Sequence, residues 1–169
     1  MVSLATGFTL ARIILVPVFI FVLYLPIERR EWIAAFVFCI AALTDAFDGY
    51  FARKYNATTR IGALLDPIAD KLLVISALIF LIGKGVPAWM AWILIAREFA
   101  IIGLRLIISP EEMISPSLFG KLKTALEMIG IVGVLLHLNL AWYVLFAAVV
   151  CSIVSAAQYF WRARKVIRL

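Results

Sequence analysis

The sequence predicts an all-α integral membrane protein of six transmembrane helices, with both termini in the cytoplasm. Three observations predict it. The 169 residues are 66% hydrophobic with a mean hydropathy of +1.10, well outside the range of soluble domains. The apolar residues fall into six runs, each close to the roughly 20 residues that cross a hydrocarbon core about 30 Å thick. When those runs alternate across a bilayer, thirteen Lys and Arg residues fall on one side and three on the other, a bias that marks the cytoplasmic face.

Taken in order, the spans lie near residues 6–25, 32–53, 62–83, 88–107, 120–138 and 141–161. The first lacks a basic leader region and a small-residue cleavage site, so it reads as a retained helix and not as a signal peptide. Pro26 to Glu31 separates it from the second, and Lys54 to Arg60 separates the second from the third. Gly83-Lys84-Gly85-Val86-Pro87 breaks the chain before the fourth, Ser109 to Ser117 before the fifth, and His137 to Leu140 before the sixth. Arg53, Lys54, Arg60, the stretch from Arg105 to Lys123 and the tail Arg162, Arg164, Lys165 and Arg168 share one side, whereas Arg29, Arg30 and Lys84 take the other. Aromatic residues agree with this orientation. Tyr24, Trp32, Trp89, Trp92 and Trp142 fall near the outer ends, and Tyr50, Tyr55, Tyr159 and Trp161 near the inner ends, where amphipathic rings anchor helices.

The spans use nearly all of the chain, so residues 1–169 form a single membrane domain without a separate soluble one. Cys39 and Cys151 lie within apolar runs and read as small hydrophobes, not as a disulfide or metal pair. His137, the only histidine, has no ligand-spaced partner and reads as interfacial. The formal charge of +6 is mostly the inner-side excess, which favours an anionic leaflet and anionic substrates over nucleic acid.

Four aspartates occupy a 26-residue window: Asp45 and Asp48 in DAFDGYFAR, then Asp66 and Asp70 in GALLDPIAD. A carboxylate at a transmembrane helix centre costs about 2.5–3.5 kcal/mol, so four together require a reason. On a helix, Asp45, Asp48, Gly49 and Ala52 project within one arc, and Gly62, Asp66 and Asp70 repeat at i, i+4. Two such faces brought together form an all-oxygen cage that suits a hard cation, Mg²⁺ or Mn²⁺. Taken singly, Asp66-Pro67 also reads as an N-cap followed by proline in the first turn, and Asp45 or Asp48 as a juxtamembrane partner of Arg53 or Lys54. Neither alternative accounts for both faces at once.

A second set of charges falls in the fourth and fifth spans: Arg97, Glu98, Arg105, Lys121, Lys123 and Glu127. Ionisable groups at membrane depth face the bundle interior and pair, or line a cavity. Lys123 and Glu127 are spaced to pair within one helix. Arg97, Arg105 and Lys121 remain in excess of nearby acids, which points to an anion pocket whose arginines would fork onto a phosphate.

The pattern D-x2-D-G-x2-A-R-x8-G-x3-D-x3-D, complete here at Asp45, Asp48, Gly49, Ala52, Arg53, Gly62, Asp66 and Asp70, resembles the signature of the CDP-alcohol phosphotransferases, membrane enzymes of phospholipid synthesis. The segments ARE at Ala96–Glu98, GKLKT at Gly120–Thr124, DPIADKL from Asp66, TLAR from Thr9 and RIG from Arg60 are similar to the branch of that family that makes phosphatidylglycerophosphate. That branch usually carries glutamine where this chain has Glu127. The resemblance implies transfer of a phosphatidyl group from CDP-diacylglycerol to sn-glycerol 3-phosphate with release of CMP, in the cytoplasmic membrane and with the site facing the cytoplasm. It implies two divalent cations held by Asp45, Asp48 and Asp66, with Asp70 as a further ligand and general base. Gly49, Ala52 and Gly62 would admit the cytidine to the helix backbone and Arg53 would hold the diphosphate. Arg97, Arg105, Lys121 and Lys123 would hold the acceptor phosphate, and the resemblance also implies a homodimer. Three alternatives remain, of which a purely structural assembly subunit gives no reason for the paired acidic faces. Another acceptor, as in cardiolipin synthase or phosphatidylinositol-phosphate synthase, would share the aspartates. A cation- or proton-coupled transporter would place carboxylates near the midplane with a path to both faces, whereas these aspartates lie at the inner helix ends.

Overall fold

The computed structural model describes the backbone of residues 4–55, 60–107 and 118–166, and the side chains of residues 14–44, 71–104 and 118–164. Six helices account for it: α1 (Leu4–Tyr24), α2 (Arg30–Tyr55), α3 (Arg60–Leu81), α4 (Ala88–Ile107), α5 (Leu118–Leu135) and α6 (Ala141–Val166). No named strand occurs among the described residues; the loop between α3 and α4 holds an isolated bridge from Ile82 to Val86. Every expected span coincides with a helix. Among the described residues, Ala141–Arg164 is long and apolar enough to cross a membrane, while Ile14–Tyr24 and Lys71–Leu81 are shorter apolar stretches. α5 is 18 residues long and interrupts its apolar run with Lys121, Lys123 and Glu127.

The chain divides into two compact units, Met1–Phe80 and Leu81–Leu169. In the first, α1 packs against α2. The buried residues Val16, Phe19, Val22 and Leu23 of α1 and Ala34, Ala35, Phe38 and Ala41 of α2 recur every three or four residues, one stripe per helix. Phe19 and Phe38 meet with ring centroids 5.8 Å apart, and Tyr24 meets Phe80 of α3 edge-on at 5.6 Å. The opposite face of α2 is just as apolar: Trp32, Ile33, Phe36, Ile40 and Leu43 are exposed. A helix with hydrophobic side chains all round belongs in lipid or in a large core.

In the second unit, α6 packs against both α4 and α5. Of its buried positions, Ala141, Leu145, Ala148, Ser152, Ser155 and Tyr159 follow one another in steps of four and three as in a coiled-coil seam, with Val149 and Ala163 buried beside them. Glycines on α5 let the two backbones approach. A Cβ at Gly130 would lie 2.6 Å from the side chain of Leu145, and one at Gly133 would lie 2.9 Å from the Cβ of Ala141. Small residues make such close helix contacts in membranes. We expect Gly130→Val to overpack this seam and cost about 1–3 kcal/mol, measured as a lowered Tm of the detergent-extracted protein.

α5 ends in a Schellman cap. The Leu138 N–H donates to the carbonyl of Gly133 at 2.8 Å and the His137 N–H to that of Val134 at 3.0 Å, the paired bonds of that motif. His137 has φ +56°, the left-handed conformation that glycine more often supplies at this position. The histidine that the sequence left without a role therefore closes α5 and turns the chain towards α6. Cys39 and Cys151 are free thiols, both half-buried and not fully so.

Candidate functional site

The acidic segments lie on α2 and α3. Asp45, Asp48, Gly49, Ala52 and Arg53 belong to the C-terminal half of α2, which is helical without interruption from Arg30 to Tyr55. Gly62, Asp66 and Asp70 belong to the first half of α3. The helical spacing that places each set on one face is therefore present in the backbone. The side chains of all eight lie outside the described residues, so the structure records no ligand geometry for them. One sequence-level alternative is corrected here. Because α3 starts at Arg60, Asp66 is not its N-cap, and Pro67 lies a full two turns inside the helix instead of in its first turn. With a capping role gone, a carboxylate followed by proline at that depth is unexplained by helix formation. The donor set on these two segments is four carboxylates without a histidine or thiol, a composition suited to a hard divalent cation. Among the described residues, no other group of three or more His, Cys, Asp or Glu could hold a metal ion.

The second constellation is described in atomic detail. Arg97 and Glu98 are adjacent on α4, and Lys123 and Glu127 are one turn apart on α5. Arg97 Nη1 donates to Glu98 Oε1 at 2.9 Å, and the same oxygen accepts from Lys123 Nζ at 2.5 Å. The Lys123 ammonium also pairs with Glu127 Oε2. On the other side, Arg97 Nη2 donates to the hydroxyl of Ser155 on α6 at 2.9 Å. The charges thus alternate, Arg97, Glu98, Lys123, Glu127, in a ladder that ties the three helices together. Its side chains are almost wholly withdrawn from solvent: 15% exposed for Arg97, 5% for Glu98, 0% for Lys123 and 2% for Glu127. Each buried charge in the ladder faces an opposite one, which offsets part of the cost of withdrawing it from water. Arg97 Nε, within the ladder, and the Ser152 hydroxyl, beside it on α6, are buried donors without a hydrogen-bond partner among the described residues.

The four residues expected to hold an anion therefore separate into three kinds. Arg97 and Lys123 come together, but through carboxylates, and Lys123 is enclosed by two of them. Lys121 is exposed in the first turn of α5. Arg105 lies in the last turns of α4, and its side chain falls outside the described residues. Next to it, Ile101 and Leu104 pack with Tyr159 and Ala163 of α6. Sequence reasoning identified the Lys123–Glu127 pair but missed Ser155 and Ser152. Their only signal is that two hydroxyls occupy the buried stripe of α6.

Comparison with known proteins bears on the acidic segments and the ladder together. The sequence model of the CDP-alcohol phosphatidyltransferases matches residues 2–154, a range that contains all eight positions of the acidic pattern and the four charged residues of the ladder. A CDP-diacylglycerol–glycerol-3-phosphate 3-phosphatidyltransferase from Bacillus subtilis is 39% identical, with 98% of each chain covered. The proteins of the same description from Haemophilus influenzae and Escherichia coli are 39% and 37% identical, covering 89% and 96% of this chain and 88% and 95% of theirs. With a family match over most of its length and near full-length relatives, this chain belongs to the CDP-alcohol phosphatidyltransferase family.

Proposed function

We propose that this protein transfers the phosphatidyl group of CDP-diacylglycerol to sn-glycerol 3-phosphate, giving phosphatidylglycerophosphate and CMP. The observation that carries the reading is the near full-length identity of 37–39% to three enzymes described by that reaction. The complete acidic pattern on α2 and α3 supports it. In this reading all 169 residues form one membrane domain, six helices span the bilayer, and both termini and the acidic segments face the cytoplasm. Assembly as a homodimer belongs to the same reading.

Asp45, Asp48, Asp66 and Asp70 would hold two divalent cations, Mg²⁺ or Mn²⁺. Bound there, they would neutralise the diphosphate oxygens and stabilise the departing CMP. Gly49, Ala52 and Gly62, which lack bulk, admit the cytidine to the helix backbone, and Arg53 holds the diphosphate. Asp70 accepts the proton of the acceptor hydroxyl as its oxygen attacks the phosphorus that carries the diacylglycerol. The new phosphorus–oxygen bond forms as the bond to the CMP oxygen breaks. The acceptor's own phosphate is held by Arg97, Arg105 and Lys121. In support, Arg97 keeps a buried Nε–H without a partner among the described residues, a donor that a phosphate oxygen would satisfy. Lys123 acts on this pocket through the two carboxylates that enclose it.

The test is CMP release by the purified protein with CDP-diacylglycerol and a panel of acceptors. We expect turnover with sn-glycerol 3-phosphate and little with glycerol or myo-inositol, which carry no phosphate for the pocket to pair. Arg105→Ala should raise the KM for glycerol 3-phosphate about ten- to a hundredfold, the size of one or two charge-assisted hydrogen bonds. Its KM for CDP-diacylglycerol should change little. Efficient use of phosphatidylglycerol as acceptor would overturn the assignment.

A further inference from the structure

We propose that Glu127 is a positioning residue that sets the affinity of the acceptor site by neutralising Lys123. The proposal rests on the acceptor reading above and goes beyond it by assigning a role to the acid that pairs with Lys123. The ladder contains two cations and two anions, so its formal charge is zero. Without Glu127, the Glu98 carboxylate would serve both Arg97 Nη1 and Lys123 Nζ through Oε1, and these three residues would carry one net positive charge. That charge would lie behind Arg97, within a region from which solvent is excluded. There it would act on an incoming dianion through an effective dielectric far below that of water. Glu127 removes it. The cost is weaker attraction for the acceptor phosphate, and the gain is a Lys123 side chain held from two sides on the α4–α5 contact.

A glutamine at 127 preserves the size of the side chain and offers an oxygen to the Lys123 ammonium, so it changes the charge with little change of shape. The opposite change is available at the far end of the ladder. Ser155 accepts from Arg97 Nη2, and an aspartate there would keep an acceptor while adding a negative charge beside the guanidinium. The two variants must therefore move the same quantity in opposite directions. Damage to packing would instead impair both alike.

The experiment measures KM for sn-glycerol 3-phosphate, KM for CDP-diacylglycerol and kcat for wild type, Glu127→Gln and Ser155→Asp, each confirmed monodisperse in detergent. We expect Glu127→Gln to lower the acceptor KM about three- to tenfold, the size expected of one partly screened unit charge. Ser155→Asp should raise it by a similar factor, with the CDP-diacylglycerol KM within about twofold in both. Should Glu127→Gln fail to fold, a folded Ser155→Asp with an unchanged acceptor KM would still refute the proposal. An active wild type whose folded Glu127→Gln shows an unchanged or raised acceptor KM overturns it alone. A wild type that does not turn over glycerol 3-phosphate would overturn the acceptor reading and this inference together.

Discussion

Asp70→Asn is expected to lower kcat about 10²–10⁴-fold, the usual contribution of a positioned general base, while leaving the protein folded and extractable. Asparagine keeps the size of the side chain and its hydrogen-bonding capacity but can neither accept the acceptor proton nor bring a charge to a cation. Asp45→Asn and Asp66→Asn should abolish activity by a different route, through weaker cation binding. The two classes are separable by titration. Raising Mg²⁺ or Mn²⁺ should restore more of the rate in Asp45→Asn than in Asp70→Asn, which has lost its proton acceptor along with a cation ligand. Turnover by the wild type in EDTA would refute the cation requirement, and a wild-type rate in Asp70→Asn would refute the base. These expectations draw on the carboxylate composition of the α2 and α3 segments and on the continuous helices that carry them.

The second large effect is on stability. Lys123→Met keeps a long apolar stem and removes the ammonium that lies between Glu98 and Glu127. Those two carboxylates, 5% and 2% exposed, would then lose the cation between them at a place where water cannot screen them. Removing one partner of a buried ion pair typically costs about 3–5 kcal/mol. The Tm in detergent should fall accordingly, and yield in the membrane with it. Lys123→Met combined with Glu127→Gln should recover part of the loss, because the Arg97–Glu98 pair is then left balanced. A Lys123→Met protein as stable as the wild type would show that the ladder contributes little to the fold.

Much of this architecture was readable because a bilayer leaves a chain few options. A run of about 20 apolar residues must satisfy its own backbone, and a helix is the way an isolated segment does so. The expected spans at 88–107 and 141–161 consequently meet α4 and α6 at Ala88 and Ala141. α6 continues to Val166, past the end of the apolar run, since Arg and Lys favour the helical state as much as most apolar residues do. The site was legible to different degrees. The Lys123–Glu127 pair follows from i, i+4 spacing alone. The Glu98–Lys123 bond joins residues 25 apart in sequence and depends on how α4 and α5 approach, which no local rule supplies. Ser155 was invisible for the same reason: the bond it accepts from Arg97 joins residues 58 apart in sequence and depends on how α4 and α6 meet. The acidic segments were legible as a pattern because carboxylates at membrane depth are costly. Pro67 misled only when taken alone, since proline marks the start of many helices.

The capped turn after α5 has a consequence for how the protein enters its membrane. α5 carries three ionisable residues, each unfavourable at the centre of an inserting helix by about 2.5–3.5 kcal/mol, and would partition poorly by itself. The bond from Leu138 back to Gly133 closes the helix within a few residues of the start of α6, the strongly apolar Ala141–Arg164 stretch. A newly made α5 is thus tethered by a very short link to a neighbour that inserts readily, with glycines at 130 and 133 shaped to receive it. In the six-span reading proposed above, the pair would enter the bilayer as a hairpin. In that reading, biogenesis of this region would wait for α6 to leave the ribosome, and chains truncated before α6 would strand α5 at the membrane surface.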